Sequence, residues 1–186
     1  RDELMTIPGT STSLVVRKLL PRNGVVRKVG GPDYRYYVET DGDEKTLDGE
    51  NMVTGASEQP WFDAGMWRLE IQPETGQKTD RFLVLLKPGK AATADLRRAQ
   101  LLVTNSGDGL ETPHTLVLFV ADQQQAGIEY LANPGKRLHI LTGLPPDRTF
   151  RVAHAGKSFE VTTSPEGILN FDLSVADPTM VRMQSL

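Results

Sequence analysis

From Gln100 onward the chain is a series of short apolar-rich segments, each cut off by residues that favour turns, and this restricts its fold more than any other feature. The segments are Gln100–Thr104, Thr115–Ala121, Ile128–Leu131, Arg137–Thr142, Thr149–His154, Lys157–Thr163 and Ile168–Leu173. Between them stand Asn105-Ser106-Gly107-Asp108-Gly109, Asn133-Pro134-Gly135, Leu144-Pro145-Pro146-Asp147, Ala155-Gly156 and Ser164-Pro165-Glu166-Gly167. Segments this short suit strands better than helices, and their even spacing predicts a sandwich or barrel. No fixed-length repeat is present, which argues against a propeller or solenoid.

The first half carries the same signal less regularly. In Met66–Pro73, Trp67, Leu69 and Ile71 alternate with Arg68, Glu70 and Gln72, the pattern of a strand with one buried face. Phe82-Leu83-Val84-Leu85-Leu86 is apolar throughout and predicts a strand covered on both sides. Read as a hairpin, the two imply stacked layers of sheet. Leu14–Leu20 is a further strand, stopped at Pro21-Arg22-Asn23-Gly24, with Val25–Val29 as its expected hairpin partner. Tyr34–Glu39 reads as a third strand, and residues 40–65 as an insertion-like polar loop. Lys90–Arg98 has the makings of a short helix with Thr93 as N-cap. Together these readings predict an all-β chain: a multistrand antiparallel two-sheet sandwich over residues 1–175, with at most one short helix. Any subdivision is expected near 88–109, and residues 176–186 are expected to form a patternless tail.

Composition narrows the function classes. With 186 residues and 38% apolar content the chain can bury a core, and no run approaches the roughly 20 apolar residues of a spanning helix. The net charge of −3 leaves no electrostatic footprint for nucleic acid. There is no cysteine, so disulfide frameworks, thiolate nucleophiles and cysteine zinc sites are all excluded. The chain opens on Arg1-Asp2-Glu3-Leu4 and reads as a piece of a longer polypeptide.

Residues able to do chemistry are sparse. His114, His139 and His154 have no partner at a metal-ligand spacing, and nothing supplies a base with an orienting group. They read as surface or satisfied structural histidines. Ser106 has no helix behind it to form a nucleophile elbow, and the glycines around it lack the lysine and helix of a phosphate cradle. Asp41-Gly42-Asp43-Glu44 and Asp48-Gly49-Glu50 gather carboxylates without the spacing of a calcium loop. No catalytic residue, metal site or cofactor is therefore assigned. Aromatic rings offer a different chemistry, since sugar C–H faces bury apolar area against them. Trp67 belongs by its alternation to the core, while Tyr34, Tyr36 and Trp61 are candidate carbohydrate contacts.

Three stretches carry a family resemblance. The first is Leu19-Leu20-Pro21-Arg22-Asn23-Gly24-Val25-Val26-Arg27-Lys28-Val29-Gly30-Gly31-Pro32-Asp33-Tyr34. The second is Trp67-Arg68-Leu69-Glu70-Ile71-Gln72-Pro73, followed by Asp80-Arg81-Phe82-Leu83-Val84-Leu85-Leu86. The third runs from Gly143-Leu144-Pro145-Pro146 through Gly156-Lys157-Ser158-Phe159-Glu160-Val161 to Gly167-Ile168-Leu169-Asn170-Phe171. In this order they resemble the C-terminal β region of heparinase II/III-like polysaccharide lyases.

The resemblance implies an antiparallel sandwich that follows an α/α toroid. In such lyases a Tyr/His pair on the toroid and a histidine at the start of the β region remove the proton α to a uronate carboxyl group and expel the 4-linked sugar. The family's His-x-His-Ala-Asp segment is absent here, since no histidine precedes His114. None of the family's catalytic residues can be carried to a position in this chain. The implied role is a non-catalytic support for the toroid and for the cleft that receives an acidic polysaccharide, in a periplasmic or secreted enzyme. On this reading the piece by itself is inactive, with the toroid and the glycan as partners and neither nucleic acid nor a membrane span involved. A free-standing carbohydrate-binding or cell-surface adhesion module is the alternative.

Overall fold

A computed structural model of the chain describes residues 4–8, 12–30, 67–76, 78–89, 94–122 and 127–186. Its contacts gather into two compact units, Arg1–Leu19 with Leu83–Leu186, and Leu20–Phe82. The junctions fall beside residues 19 and 82 rather than within the 88–109 interval expected from composition.

In the smaller unit, β3 (Val25–Gly30) pairs antiparallel with β4 (Trp67–Gln72), Val25 opposite Gln72 and Gly30 opposite Trp67. This corrects two expectations. The partner of β3 is β4 and not the strand before it, and β4 forms no hairpin with the apolar segment that follows. Alternation tells which face of a strand is buried but says nothing about its neighbour. The turn at Pro21–Gly24 does form, with Gly24 N–H donating to Pro21 O at 3.1 Å. Tyr34–Glu39, residues 40–65 and Trp61 lie outside the described residues.

The larger unit begins with a three-stranded sheet in the order β1 (Leu4–Pro8), β2 (Ser13–Leu20), β5 (Leu83–Gly89). Val15, Val16, Arg17, Lys18 and Leu19 are all buried, so β2, rather than β5, is the strand covered on both faces. β5 ends the sheet and is half-buried, with Leu86 exposed, which corrects its reading as a central strand. The Arg17 guanidinium donates from Nη1 to the carbonyl of Leu96 in α1 (Ala94–Arg97). That helix is a single turn, with Leu96 and Ala99 buried. Thr93, its expected cap, lies outside the described residues.

The remaining strands build the predicted sandwich. One sheet runs β13 (Leu169–Val175), β10 (Gly135–Thr142), β8 (Thr115–Val120), β7 (Gly107–Glu111), β6 (Gln100–Val103). The other runs β12 (Lys157–Thr162), β11 (Thr149–His154), β14 (Thr179–Ser185), β9 (Gly127–Ala132). Pairing is antiparallel throughout the sandwich except between β8 and β10, which are parallel because the chain crosses to the other sheet as β9 before returning. Alternate residues of both sheets point at one another. Leu116, Leu118, Leu141, Leu169 and Phe171 meet Ile128, Tyr130, Val152, Val181 and Met183 in a single apolar core. Each such side chain contributes about 1.5–3 kcal/mol by leaving water.

Three elements were hidden in the sequence: β1, β7 and β14. Residues 176–186 are not a tail: β14 lies inside its sheet between β11 and β9, with Val181 and Met183 in the core. Gly107-Asp108-Gly109, which reads as a turn, opens β7. A Cβ at Gly109 would stand 2.0 Å from the Val117 carbonyl oxygen, so strand β7 needs the bare backbone there. The connection after β10 is locked in a similar way. Leu144 is buried, its N–H donates to Gly167 O at 3.2 Å, and Thr163 Oγ1 donates to Pro145 O at 2.7 Å. Gly167 has φ 73°, and a Cβ there would meet Leu144 O at 2.1 Å.

Candidate functional site

At one end of the five-stranded sheet, β7 finishes at Glu111 while β6, β8 and β10 begin, and the β9–β10 turn comes alongside. Glu111 and Arg137 occupy inward-facing positions of their strands, opposite Leu116 and Leu173 respectively, where the apolar core runs out. A charged pair thus closes the end of the core. Arg137 Nε stands 3.0 Å from Glu111 Oε1, with both side chains almost wholly buried. The single N–H of Nε is directed to Thr112 O at 2.9 Å. Glu111 Oε1 is accordingly held by charge, without a hydrogen bond of its own. The other oxygen, Oε2, accepts from Asn133 Nδ2 at 2.5 Å. Arg137 Nη1 donates to Asn133 O at 2.7 Å and to Pro134 O at 2.8 Å. These bonds fix the guanidinium in one orientation and leave Nη2 out of them.

Above this fixed floor lies an open groove of about 510 Å³, lined also by Arg97, Arg98, Gln100, Thr112 and Pro113. Arg97, Arg98 and Gln100 are exposed. Three guanidiniums against one carboxylate make the groove locally cationic on a chain whose net charge is −3. The exposed guanidiniums of Arg97 and Arg98 can donate N–H groups to a carboxylate or sulfate, and amides add hydrogen bonds to hydroxyls. The groove can therefore hold a carboxylate or sulfate that carries neighbouring hydroxyl groups.

The histidines lie elsewhere and are not brought together. His139 is in the core, 2% exposed, sharing a 2.8 Å hydrogen bond between its Nδ1 and the Tyr130 hydroxyl. It stacks on Phe171 with ring centres 5.1 Å apart. Burial, and next the positive charge of Arg137, lower its pKa from 6.5 to about 4, with Asp172 opposing and His154 adding to the fall. His139 is therefore neutral at pH 7, and burial likewise raises the Tyr130 hydroxyl far above its ordinary value. His154 is half-buried and edge-on to Phe159, in a shallow depression of about 340 Å³ with Lys157, Ser158 and Arg182. His114 is exposed in the turn between β7 and β8. Ser106 is buried beneath a Thr104 turn, its N–H donating to Thr104 Oγ1 at 3.0 Å.

The aromatic candidates Tyr34, Tyr36 and Trp61 lie outside the described residues, as do the carboxylate clusters at 41–44 and 48–50. Nothing is described of the Trp67 side chain. Among the described residues no three or more His, Asp or Glu gather closely enough to hold a metal ion. No helix among them is long and apolar enough to cross a membrane.

Sequence reading missed the groove because its members are drawn from α1, β6, β7 and β10 and from the turns beside them. One signal was present. Arg137 falls in the inward phase of β10, in step with His139 and Leu141, and a charge in that phase calls for a buried partner.

No protein-family model matches the chain, and no curated protein matches it.

Proposed function

We propose that this chain is the non-catalytic C-terminal β-sandwich of a heparinase II/III-type polysaccharide lyase, whose full-length form cleaves uronate-containing glycans by β-elimination. Its role is mechanical: it buttresses an α/α toroid and helps to shape the substrate cleft, in an exported, periplasmic or secreted enzyme. One observation carries this reading. A sandwich sheet that faces water on its outer side is polar there. The five-stranded sheet instead bears a row of apolar residues on its outer face, running through the cross-strand neighbours Leu101, Leu110, Val117 and Ile140. It continues into exposed Val103 and Phe119 at one end and exposed Leu138 at the other. Leu110 is buried and Leu101, Val117 and Ile140 are half-buried within this chain, so the area left for contact with a further layer is that of Val103, Phe119 and Leu138. The sequence resemblance supplies the identity of that layer.

The alternative, a free-standing carbohydrate-binding or adhesion module, draws support from the cationic groove rather than from the apolar face. The non-catalytic assignment is tested in solution. Added to an acidic polysaccharide, this chain produces no rise in the ultraviolet absorbance of unsaturated uronate. Measurable turnover overturns the non-catalytic assignment.

A further inference from the structure

We propose that the groove at the Glu111–Arg137 end of the sandwich is a secondary binding subsite for an acidic oligosaccharide, recognising a uronate carboxylate or a sulfate ester together with adjacent sugar hydroxyls. The proposal rests on the lyase reading for the class of glycan, but the groove's chemistry stands by itself.

The geometry argues first for an anion. Arg97 and Arg98 extend from the end of α1 with their side chains exposed, and Arg137 forms the floor. Arg137 is not a loose surface side chain. Glu111, Thr112, Asn133 and Pro134 hold it from several sides, so its orientation is set before any ligand arrives. Glu111 is committed to that task, its oxygens facing Arg137 and Asn133. The exposed guanidiniums thus retain their charge for an incoming anion.

The same geometry selects a sugar over other polyanions. The volume of about 510 Å³ lies in the usual range for a small-molecule cleft, roughly 300–1,000 Å³. Gln100 and Thr112 offer amide and hydroxyl partners beside the arginines, and Pro113 offers an apolar edge for sugar C–H groups. None of the lining residues is aromatic, so the groove lacks the stacking platforms on which single-stranded nucleic acid depends. Such a subsite would tether the polysaccharide and raise its local concentration.

The test is titration calorimetry at low salt with this chain. The probes are a uronate oligosaccharide, a sulfated oligosaccharide, a neutral oligosaccharide of equal length and a single-stranded oligonucleotide. Binding of either acidic sugar, absent for the neutral one and stronger than for the oligonucleotide, is the expected result. The comparison of the two acidic sugars tells carboxylate from sulfate. The double variant Arg97→Ala/Arg98→Ala, both at exposed positions, should weaken acidic-sugar binding at least tenfold without changing the urea midpoint. Gln100→Ala should weaken it by a smaller factor. Failure of both acidic sugars to bind, equal affinity for the oligonucleotide, or binding unaffected by the double variant each overturns the subsite. The lyase reading fails by a different measurement, turnover by this chain alone, so the two outcomes remain separable.

Discussion

On the four-stranded sheet the outward positions include Glu129, Arg151, Glu160 and Arg182, and their side chains pair across strands in water. Arg151 meets Glu160 at 3.2 Å and Arg182 meets Glu129 at 2.9 Å, with every member more than half exposed. Only the neighbours Leu131 and Met180 interrupt this surface with exposed apolar area. On the five-stranded sheet the outward row is Leu101, Leu110, Val117 and Ile140, turning polar only at Asn170 on β13. The charged pair of that sheet, Glu111 with Arg137, lies inward at its end instead. The two sheets share one core yet differ in what their far sides are made for. The first ends the molecule at water, and the second has the composition of an inner layer.

The ion pairs provide the largest test of this contrast. Exposed pairs contribute about 0–1 kcal/mol, because water solvates either partner once the other is gone. Removing one member of a buried pair strands the other charge and costs about 3–5 kcal/mol. Glu111→Ala should therefore lower the urea midpoint far more than Glu129→Ala or Glu160→Ala in parallel equilibrium unfolding. Equal effects would mean that the end of the core is open to water and that Arg137 is not held as described.

A somewhat smaller effect is expected from the core histidine. Unfolded, His139 titrates near 6.5; folded, near 4. Above pH 6.5 both states are neutral and the full stability is present. As pH falls from 6.5 to 4 the unfolded chain takes up the proton first, so the folded state loses up to about 3 kcal/mol. In His139→Gln, which keeps a polar partner for Tyr130, that part of the acid limb should disappear. The check is the difference in unfolding free energy between pH 7 and pH 4.5 for the two proteins. Identical differences would show that the imidazole is already solvated in the fold.

How much of this was legible in the sequence depended on what each residue had to satisfy. The strands from Gln100 to Val175 were readable because each obeys one rule, apolar inward and polar outward, as in Leu169, Phe171, Leu173 and Val175 against Asn170, Asp172 and Ser174. β14 obeys the same rule with only Val181 and Met183 to announce it, directly after Asp177-Pro178, and was read as a tail. β7 was obscured because Gly109 is selected by a close backbone approach rather than by turn geometry. Pairing was less visible still. The alternation of β4 and the apolar run of β5 suggested a hairpin, but they belong to different sheets, since period encodes a face and not a neighbour. The groove was least legible of all, because no local pattern links Arg97, Glu111, Asn133 and Arg137 until the strands are folded.

The smallest expected effect on the chain by itself is the one that bears most directly on its role. Phe119 follows buried Leu118 in β8 and points the opposite way, 48% exposed, beside Asp108 and Thr142 on the outer face. Phe119→Thr keeps a strand-favouring residue while removing the ring. If the ring faces water in this chain, the unfolding free energy should change by no more than about 0.5 kcal/mol. In the proposed longer polypeptide with an α/α toroid, the same substitution should remove an aromatic contact at one end of the apolar row and cost more than about 1 kcal/mol of interdomain stability. Scanning calorimetry of the short and long chains, each with and without the substitution, reads both quantities. A large loss in the short chain means that Phe119 is already packed within this sandwich. No loss in either means that the apolar outer face covers nothing, and the contrast between the two sheets then has no mechanical meaning.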